Sequence, residues 1–138
     1  VQLPLNMLQR TTYQTMLPHL NSTSYVAYWS LMKGLLAGAM SREHQLAEND
    51  RRRSYDVYQG VMWQQAHDVL DQVREIASEL GWAVSRLVIA WTMNQTSVAS
   101  VLCGAKRPQQ IEETAAAMLE PLPPSIADRL DAVLLPFH

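Results

Sequence analysis

Residues 98–118 read VASVLCGAKRPQQIEETAAAM, the most informative stretch of the chain. It begins with a short apolar run that is typical of a strand buried on both faces, made of Val98, Val101, Leu102 and Cys103. Gly104 interrupts the run, and a glycine there lets the backbone turn sharply. Pro108 suits the first turn of a helix, where its missing N–H group costs nothing. The stretch therefore predicts a strand, a tight turn and a helix in that order.

Two cations, Lys106 and Arg107, stand between the predicted strand and helix. The helix carries one apolar stripe, because Ile111, Ala115 and Met118 recur at spacings of four and three residues. Positive side chains are unfavourable at the start of a helix, where the backbone dipole prefers negative charge. An anionic ligand would remove this conflict, since backbone N–H groups and both cations would then bind one phosphate. The alternative is that both cations are ordinary solvated surface charges.

The same stretch resembles the cofactor segment of the aldo-keto reductases. In that family a Gly-Ala-Ser/Lys-Arg-Pro-Glu-Gln-Ile/Leu-x-Glu-Asn pattern follows the last strand of the barrel, and residues 104–114 of this chain read GAKRPQQIEET. Residues 2–10, QLPLNMLQR, resemble the family's sixth strand. Residues 26–38, VAYWSLMKGLLAG, resemble its seventh strand and the loop that follows. The resemblance therefore spans nearly the whole chain, but it covers only the C-terminal half of the family's barrel.

This resemblance implies a fold of the α/β class: a helix-rich partial (half) TIM barrel with about three parallel strands and five helices. Residues 1–138 would form a single domain. The cofactor implied is NADP(H), and the implied reaction of the complete enzyme is carbonyl reduction by hydride transfer. The family's catalytic Tyr, Lys, Asp and His lie in the first half of the barrel. No catalytic residue is therefore assigned to this chain, which we expect to be inactive on its own.

The resemblance implies a first set of cofactor-binding residues upstream, namely Gln2, Tyr28, Ser30, Leu31, Lys33 and Gly34. Gln2 would hydrogen-bond the nicotinamide carboxamide, and the Tyr28 ring would stack on the nicotinamide. Backbone N–H groups of Ser30 and Leu31 would approach the pyrophosphate, although Ser30 replaces the family's usual proline. Lys33 would add charge near a phosphate, and Gly34 serves a tight turn. The alternatives are that Gln2 is a polar residue at a frayed terminus, that Tyr28 is an aromatic residue of the core and that Lys33 is solvated.

A second implied set comes from the opening stretch and comprises Ala105, Lys106, Arg107, Gln110, Glu113 and Thr114. The first three would hold the 2′-phosphate of the adenosine, which favours NADP(H) over NAD(H). Gln110 and Glu113 would reach the adenosine itself. Thr114 stands where the family usually has asparagine, and it offers a hydroxyl but no amide edge.

The composition excludes several other classes of protein. The chain has 138 residues, 48% hydrophobic and 17% charged, which is typical of one globular domain with a real core. A net charge of −2 gives no basic footprint for nucleic acid. The apolar runs are too short to span a membrane. Cys103 is the only cysteine, so no intrachain disulfide forms, which suits a reducing, cytoplasmic location. In a buried strand it would be structural rather than nucleophilic.

Elsewhere the sequence predicts strands in 1–8 and 25–29 and helices in 11–20, 61–80, 84–94 and 126–134. The 84–94 helix is apolar almost all round, so it must be covered on most sides. Ser125, with Asp128 three residues later, resembles a capping arrangement for the last helix. No metal site is predicted, because no pair has metal-ligand spacing among the histidines, which are His19, His44, His67 and His138.

The polar 41–58 segment contains the run Arg51, Arg52 and Arg53. A loop of this length is usually functional or mobile. The arginines are either solvated or part of a flap that folds over a bound nucleotide, and the sequence leaves both interpretations open.

Three strands cannot close an eight-stranded barrel, so both edges of the sheet would be exposed. We therefore expect the chain to associate with a missing N-terminal half or to form a homodimer. An alternative function is a stand-alone, non-catalytic half-barrel that binds a nucleotide or a protein partner.

Overall fold

Three short parallel strands form the sheet of the computed structural model, which describes residues 1–136; His138 lies outside the described residues. The strands are β1 (Gln2–Pro4), β2 (Tyr25–Tyr28) and β3 (Val98–Val101), and β2 lies between the other two. The described part of the chain also contains five α-helices: α1 (Thr11–Met16), α2 (Gly60–Leu80), α3 (Val84–Met93), α4 (Pro108–Ala115) and α5 (Pro124–Leu134). The predicted helix-rich α/β architecture with three parallel strands is confirmed.

The central strand β2 joins the sheet to a small core beneath α1. Its alternate side chains Tyr25 and Ala27 are fully buried, as the pleat of a strand requires. The Tyr25 ring packs edge-on against Tyr13 of α1, with ring centroids 5.2 Å apart. Ala27 pairs with Val101 of β3. β1 ends at Pro4, earlier than predicted, although Leu5 still donates its N–H group to the carbonyl of Tyr28 at 3.1 Å.

The larger core lies among α2, α3 and α5. One face of α2 is buried and consists of Trp63, Ala66, His67, Val69, Leu70, Val73, Ile76 and Ala77. The helix ends at Gly81, whose backbone is left-handed with φ 65°, as expected for a glycine that terminates a helix. α3 is buried at position 85 and throughout 87–92. The predicted coverage of this helix on most sides is therefore confirmed.

The prediction that the strand of the opening stretch is buried on both faces is wrong. Ala99 and Ser100 of β3 are exposed, Leu102 is 46% exposed, and Cys103 is exposed as well. β3 is an edge strand, so part of its apolar run has no covering element within residues 1–136. The backbone of Gly104 is not left-handed, so the turn that follows does not require a glycine for its φ angle.

The apolar stripe of α4 faces solvent, although such a stripe usually packs on a core. Ile111 is 59% exposed and Met118, in the 3₁₀ turn after α4, is 70% exposed. The side of α4 that faces α3 carries Glu113, which accepts a hydrogen bond from Ser85 of α3. A polar pair therefore joins this side of α4 to α3, while the apolar side chain of Ile111 faces outward.

α5 begins without the predicted capping arrangement. Its first residue is Pro124 and its N-cap is Pro123, so Ser125 lies inside the helix and makes no cap hydrogen bond. Proline at the first helical position already has a suitable φ angle, which lets the helix begin before the serine. Pro108 occupies the first turn of α4, as predicted.

Short 3₁₀ turns occupy much of the chain outside the helices and strands. Met32–Ala37 lies in the loop after β2, and Arg51–Ser54 and Asp56–Tyr58 lie in the long polar segment. Leu17–His19 continues α1, and Ala116–Met118 continues α4. Within residues 1–136, every helix is too short or too polar to cross a membrane.

Candidate functional site

An open groove with a cavity volume of about 1310 Å³ lies where the chain leaves β2 and β3. Its first wall is formed by residues 28–34 and its second wall by residues 104–114. All twelve residues predicted to bind the cofactor line it: Gln2, Tyr28, Ser30, Leu31, Lys33, Gly34, Ala105, Lys106, Arg107, Gln110, Glu113 and Thr114. The fold thus brings together residues that are far apart in the sequence. Which ligand they bind stays a prediction.

The first wall has a strained backbone. Trp29, Met32 and Lys33 have left-handed φ angles of 59°, 42° and 53°, and Gly34 has φ 103°. A left-handed conformation costs a non-glycine residue about 1–2 kcal/mol. The N–H group of Met32 donates to the carbonyl of Trp29 at 2.7 Å, which closes the turn. Strain of this kind tends to accumulate at ligand-binding and catalytic sites.

Ser30 supplies a buried hydroxyl group to the first wall. The residue is only 1% exposed, and its Oγ has no hydrogen-bond partner within residues 1–136. A buried polar atom without a partner costs about 1–3 kcal/mol. Because Ser30 also lines the groove, a polar group of a bound ligand is the natural partner for its hydroxyl.

Arg52 attaches the long polar segment to the first wall. Its guanidinium group pairs with Asp50 at 2.6 Å and lowers the pKa of that carboxyl group to about 2. Arg52 also donates to the carbonyl of Lys33 at 3.3 Å. The Lys33 ammonium lies 4.3 Å from the centre of the Trp29 ring and 5.0 Å from that of Tyr55. Part of the segment is therefore fixed beside the groove.

The second wall presents two exposed cations at the start of α4. Lys106 and Arg107 both line the groove. Their backbone N–H groups donate to Oε1 of Gln110, at 2.8 Å and 3.1 Å. The first turn of α4 contains no acidic residue. The start of this helix therefore carries positive charge that no carboxylate in its first turn balances.

The other polar groups of the second wall are engaged within the chain. Glu113 accepts hydrogen bonds from Gln109 at 3.0 Å and from Ser85 at 3.3 Å. The Thr114 hydroxyl donates to the carbonyl of Gln110 at 2.9 Å. Since its proton is used in this way, the hydroxyl of Thr114 meets a ligand as an acceptor.

The groove is also lined by residues that the sequence reasoning did not assign to it, among them Trp29, His44, Arg52, Ser85 and Cys103. Trp29 follows Tyr28 directly, so its place on the groove could have been predicted from this pair of aromatic residues. Nothing in the sequence separates Arg52 from the other two arginines of its run, because only its ion pair and its contact with the first wall distinguish it. The Cys103 residue is exposed, while atoms around the sulfur partly desolvate the thiol and raise its pKa.

Both walls lie within a part of the chain that matches a known protein family. The profile of the Aldo/keto reductase family matches residues 1–135. The chain belongs to the aldo/keto reductase family. Members of this family are oxidoreductases that generally use nicotinamide cofactors.

Curated relatives are much longer than this chain. "Aldo-keto reductase YhdN" of Bacillus subtilis is 28% identical over 115 residues, which is 81% of this chain and 35% of the relative. The "NADH-specific methylglyoxal reductase" of Escherichia coli is 26% identical over 120 residues, covering 86% of this chain and 36% of the relative. A "probable voltage-gated potassium channel subunit beta" of rice is 33% identical over 113 residues, covering 77% of this chain and 34% of the relative. The chain thus spans about a third of the length of these relatives.

Solved structures agree on the fold. The glycerol dehydrogenase AKR11B4 from Gluconobacter oxydans superposes with a TM-score of 0.87 and 25% identity over 99% of this chain and 42% of that chain. The thermostable aldo-keto reductase Tm1743 gives a TM-score of 0.63 at 18% identity, covering 96% of this chain and 38% of that chain. Both neighbours are aldo-keto reductase barrels, and this chain has the fold of part of such a barrel.

Proposed function

We propose that this chain is the NADP(H)-binding, C-terminal half of an aldo-keto reductase-like oxidoreductase, folded as one domain over residues 1–138. The observation that carries the proposal is the groove, because twelve residues chosen from the sequence line a single cavity. In the complete enzyme, bound NADPH would supply the hydride that reduces a carbonyl group.

The residues of the groove fit a dinucleotide with an extra phosphate. The buried, unpartnered Ser30 hydroxyl and the Leu31 backbone suit the pyrophosphate, next to the ring of Tyr28. Lys106 and Arg107 suit a 2′-phosphate at the positive start of α4. These two cations favour NADP(H) over NAD(H). The family alone does not decide this preference, because the relative from E. coli is named as NADH-specific.

The catalytic residues would come from a part of the enzyme that this chain does not include. Its own residues bind and orient the cofactor: Tyr28 holds the face of the nicotinamide, and Gln2 holds its carboxamide. We therefore expect no carbonyl reductase activity from the isolated chain. We also propose a cytoplasmic location, in line with the single cysteine.

Calorimetric titration of the isolated chain with NADPH and with NADH tests the proposal. We expect tighter binding of NADPH, and equal affinities would contradict the proposed role of the second wall. Cys103 gives an independent check, because it lines the groove and is exposed. A bound dinucleotide should slow alkylation of its thiol, and an alkylation rate that saturating NADPH leaves unchanged would show that the ligand does not occupy this groove.

The second candidate is a stand-alone half-barrel that binds a nucleotide or a protein partner and has no redox chemistry. Relatives named as potassium channel β subunits favour it, including those from rice at 33% identity and from Arabidopsis thaliana at 32% identity. The mass of the natural gene product separates the two candidates. A product at least twice the 15.6 kDa of this chain supports the first, and a product near 15.6 kDa supports the second.

A further inference from the structure

His67 is a buried histidine of α2 that the proposed cofactor site does not use. The residue is 0% exposed, and neither of its ring nitrogens has a hydrogen-bond partner within residues 1–136. Its ring packs edge-on against Trp63, with ring centroids 4.2 Å apart. Because most buried polar atoms in proteins are hydrogen-bonded, two unpartnered nitrogens on one ring call for a physical explanation.

The face of α2 that carries His67 also binds the 38–46 segment. Trp63, one turn before His67, donates from Nε1 to the carbonyl of Arg42 at 2.8 Å. Arg74, two turns after His67, donates to the carbonyl of Met40 at 2.8 Å. Positions 63, 67 and 74 share one helix face, since they are separated by four and seven residues. The segment is therefore fastened to α2 on both sides of the buried imidazole.

The charged groups around His67 come from both sides of this contact. The segment contributes Arg42 and Glu43, and α2 contributes Asp71 and Arg74. Desolvation by burial lowers the pKa of His67, the two arginines lower it further, and the two carboxylates oppose them. Arg42 and Arg74 also both bind Asp71, at 3.0 Å and 2.7 Å, which reduces the attraction that this carboxylate offers to a proton on the imidazole.

We propose that His67 is an acid-sensitive latch: when its ring takes up a proton, the 38–46 segment separates from α2. A protonated imidazole needs two acceptors and has none in the closed arrangement, whereas water supplies both once the segment has moved away. The segment contributes Ala39, Met40 and His44 to the lining of the groove. Separation therefore opens the groove, and this effect on a bound dinucleotide rests on the proposed function.

The direction of the pH effect follows from proton binding. The closed form binds fewer protons than the open form, whose solvated histidine has a pKa of about 6.5. Closure is therefore fully stable above about pH 6.5 and weakens as the pH falls. If the closed form takes up no proton, the population of the open form rises about tenfold between pH 7.5 and pH 5.5.

Hydrogen exchange of the backbone amides in the 38–46 segment, corrected for the intrinsic effect of pH, measures this opening without any nucleotide. We expect about tenfold more opening at pH 5.5 than at pH 7.5 in the parent chain. His67→Phe keeps an aromatic ring beside Trp63 but cannot bind a proton, so its opening should not depend on pH. His19→Phe, at an exposed histidine away from this segment, should respond like the parent chain.

A pH response that survives in His67→Phe would overturn the latch, and so would a parent chain whose 38–46 amides open equally at both pH values. His67→Gln repeats the test with a polar side chain if the phenylalanine variant does not fold. Affinity for NADPH is measured separately at both pH values. A chain that opens with acid but binds no nucleotide would refute the proposed cofactor role and leave the latch intact.

Discussion

Gly38 and Gly81 both have left-handed backbone angles, with φ 83° and 65°, but their surroundings differ. A Cβ atom on Gly38 would lie 2.9 Å from Cβ of Val84, whereas one on Gly81 would meet nothing within 4 Å. We expect Gly38→Ala to lower the free energy of unfolding by about 2–4 kcal/mol, because backbone strain and steric overlap add. Gly81→Ala should cost about 1 kcal/mol from strain alone. Urea unfolding measures both, and equal losses would contradict the steric argument.

Lys106 and Arg107 should determine the choice between the two nicotinamide cofactors. Replacing either by Ala should weaken NADPH binding about tenfold or more, since a charge-assisted hydrogen bond to phosphate contributes about 1.5–3 kcal/mol. Binding of NADH should change little. Arg51→Ala is the matched control, because Arg51 is an exposed cation that does not line the groove. Calorimetry gives the affinities. An equal loss of affinity for NADPH and NADH would show that these cations contact a part of the ligand other than the 2′-phosphate.

Residues that belong to a contiguous motif were the easiest to assign from sequence. Gln110 lies on the groove because its spacing from Lys106 and Arg107 lets one amide oxygen accept from both backbone N–H groups. The place of Arg52 beside the groove was not predictable, since its contact with the carbonyl of Lys33 joins residues 19 apart in the sequence, which no local pattern encodes. The unpartnered nitrogens of His67 could not be predicted either, because the apolar periodicity of α2 does not show which hydrogen bonds a polar residue on its buried face makes.

At the level of elements, α5 is held by its buried face rather than by its surface ion pair. Leu130 is fully buried, while Arg129 and Glu79 form a 2.6 Å ion pair at the surface. We expect Leu130→Ala to lower the free energy of unfolding by about 2–5 kcal/mol, since it leaves a cavity in the core. Arg129→Ala should have no measurable effect, because exposed ion pairs contribute little. Thermal unfolding compares the two, and a larger loss for Arg129→Ala would reverse this assignment.

Helices with a clear apolar periodicity were predictable from the sequence, whereas the burial of each helix or strand face was not. The periodicity of α2 and the all-round apolarity of α3 come from the residues of each helix alone, and both helices lie where the pattern predicts. The exposure of β3 and of the α4 stripe depends on which elements stand beside them. The apolar run of β3 would suit a central strand as well as an edge strand, so sequence periodicity could not separate the two cases.

For the whole molecule, we predict that the isolated chain self-associates. Two of its three strands are edge strands, and the apolar side chains of Ile111, Met118 and Leu119 are exposed on and after α4. Burial of such a surface is favourable, and a two-fold axis is the simplest arrangement that achieves it. Light scattering across a dilution series should give a mass near twice 15.6 kDa at micromolar concentration.

A charged substitution tests whether these exposed apolar side chains cause the self-association. Met118→Lys should shift the equilibrium towards the monomer, whereas Val61→Lys, at an exposed apolar residue of α2, should not. A stable mass of 15.6 kDa in the parent chain, together with cooperative unfolding, would show that the chain is a monomer.

The pairing of β2 with β3 has a consequence for the folding kinetics. Tyr25 lies opposite Val98, so about 70 residues must fold back before the two strands meet. Contacts between such distant parts of a chain form slowly, because the entropy of closing the loop is lost before the contact stabilises it. The two walls of the groove come together only when this pairing is complete. A nucleotide that contacts both walls therefore slows unfolding and leaves the rate of refolding unchanged.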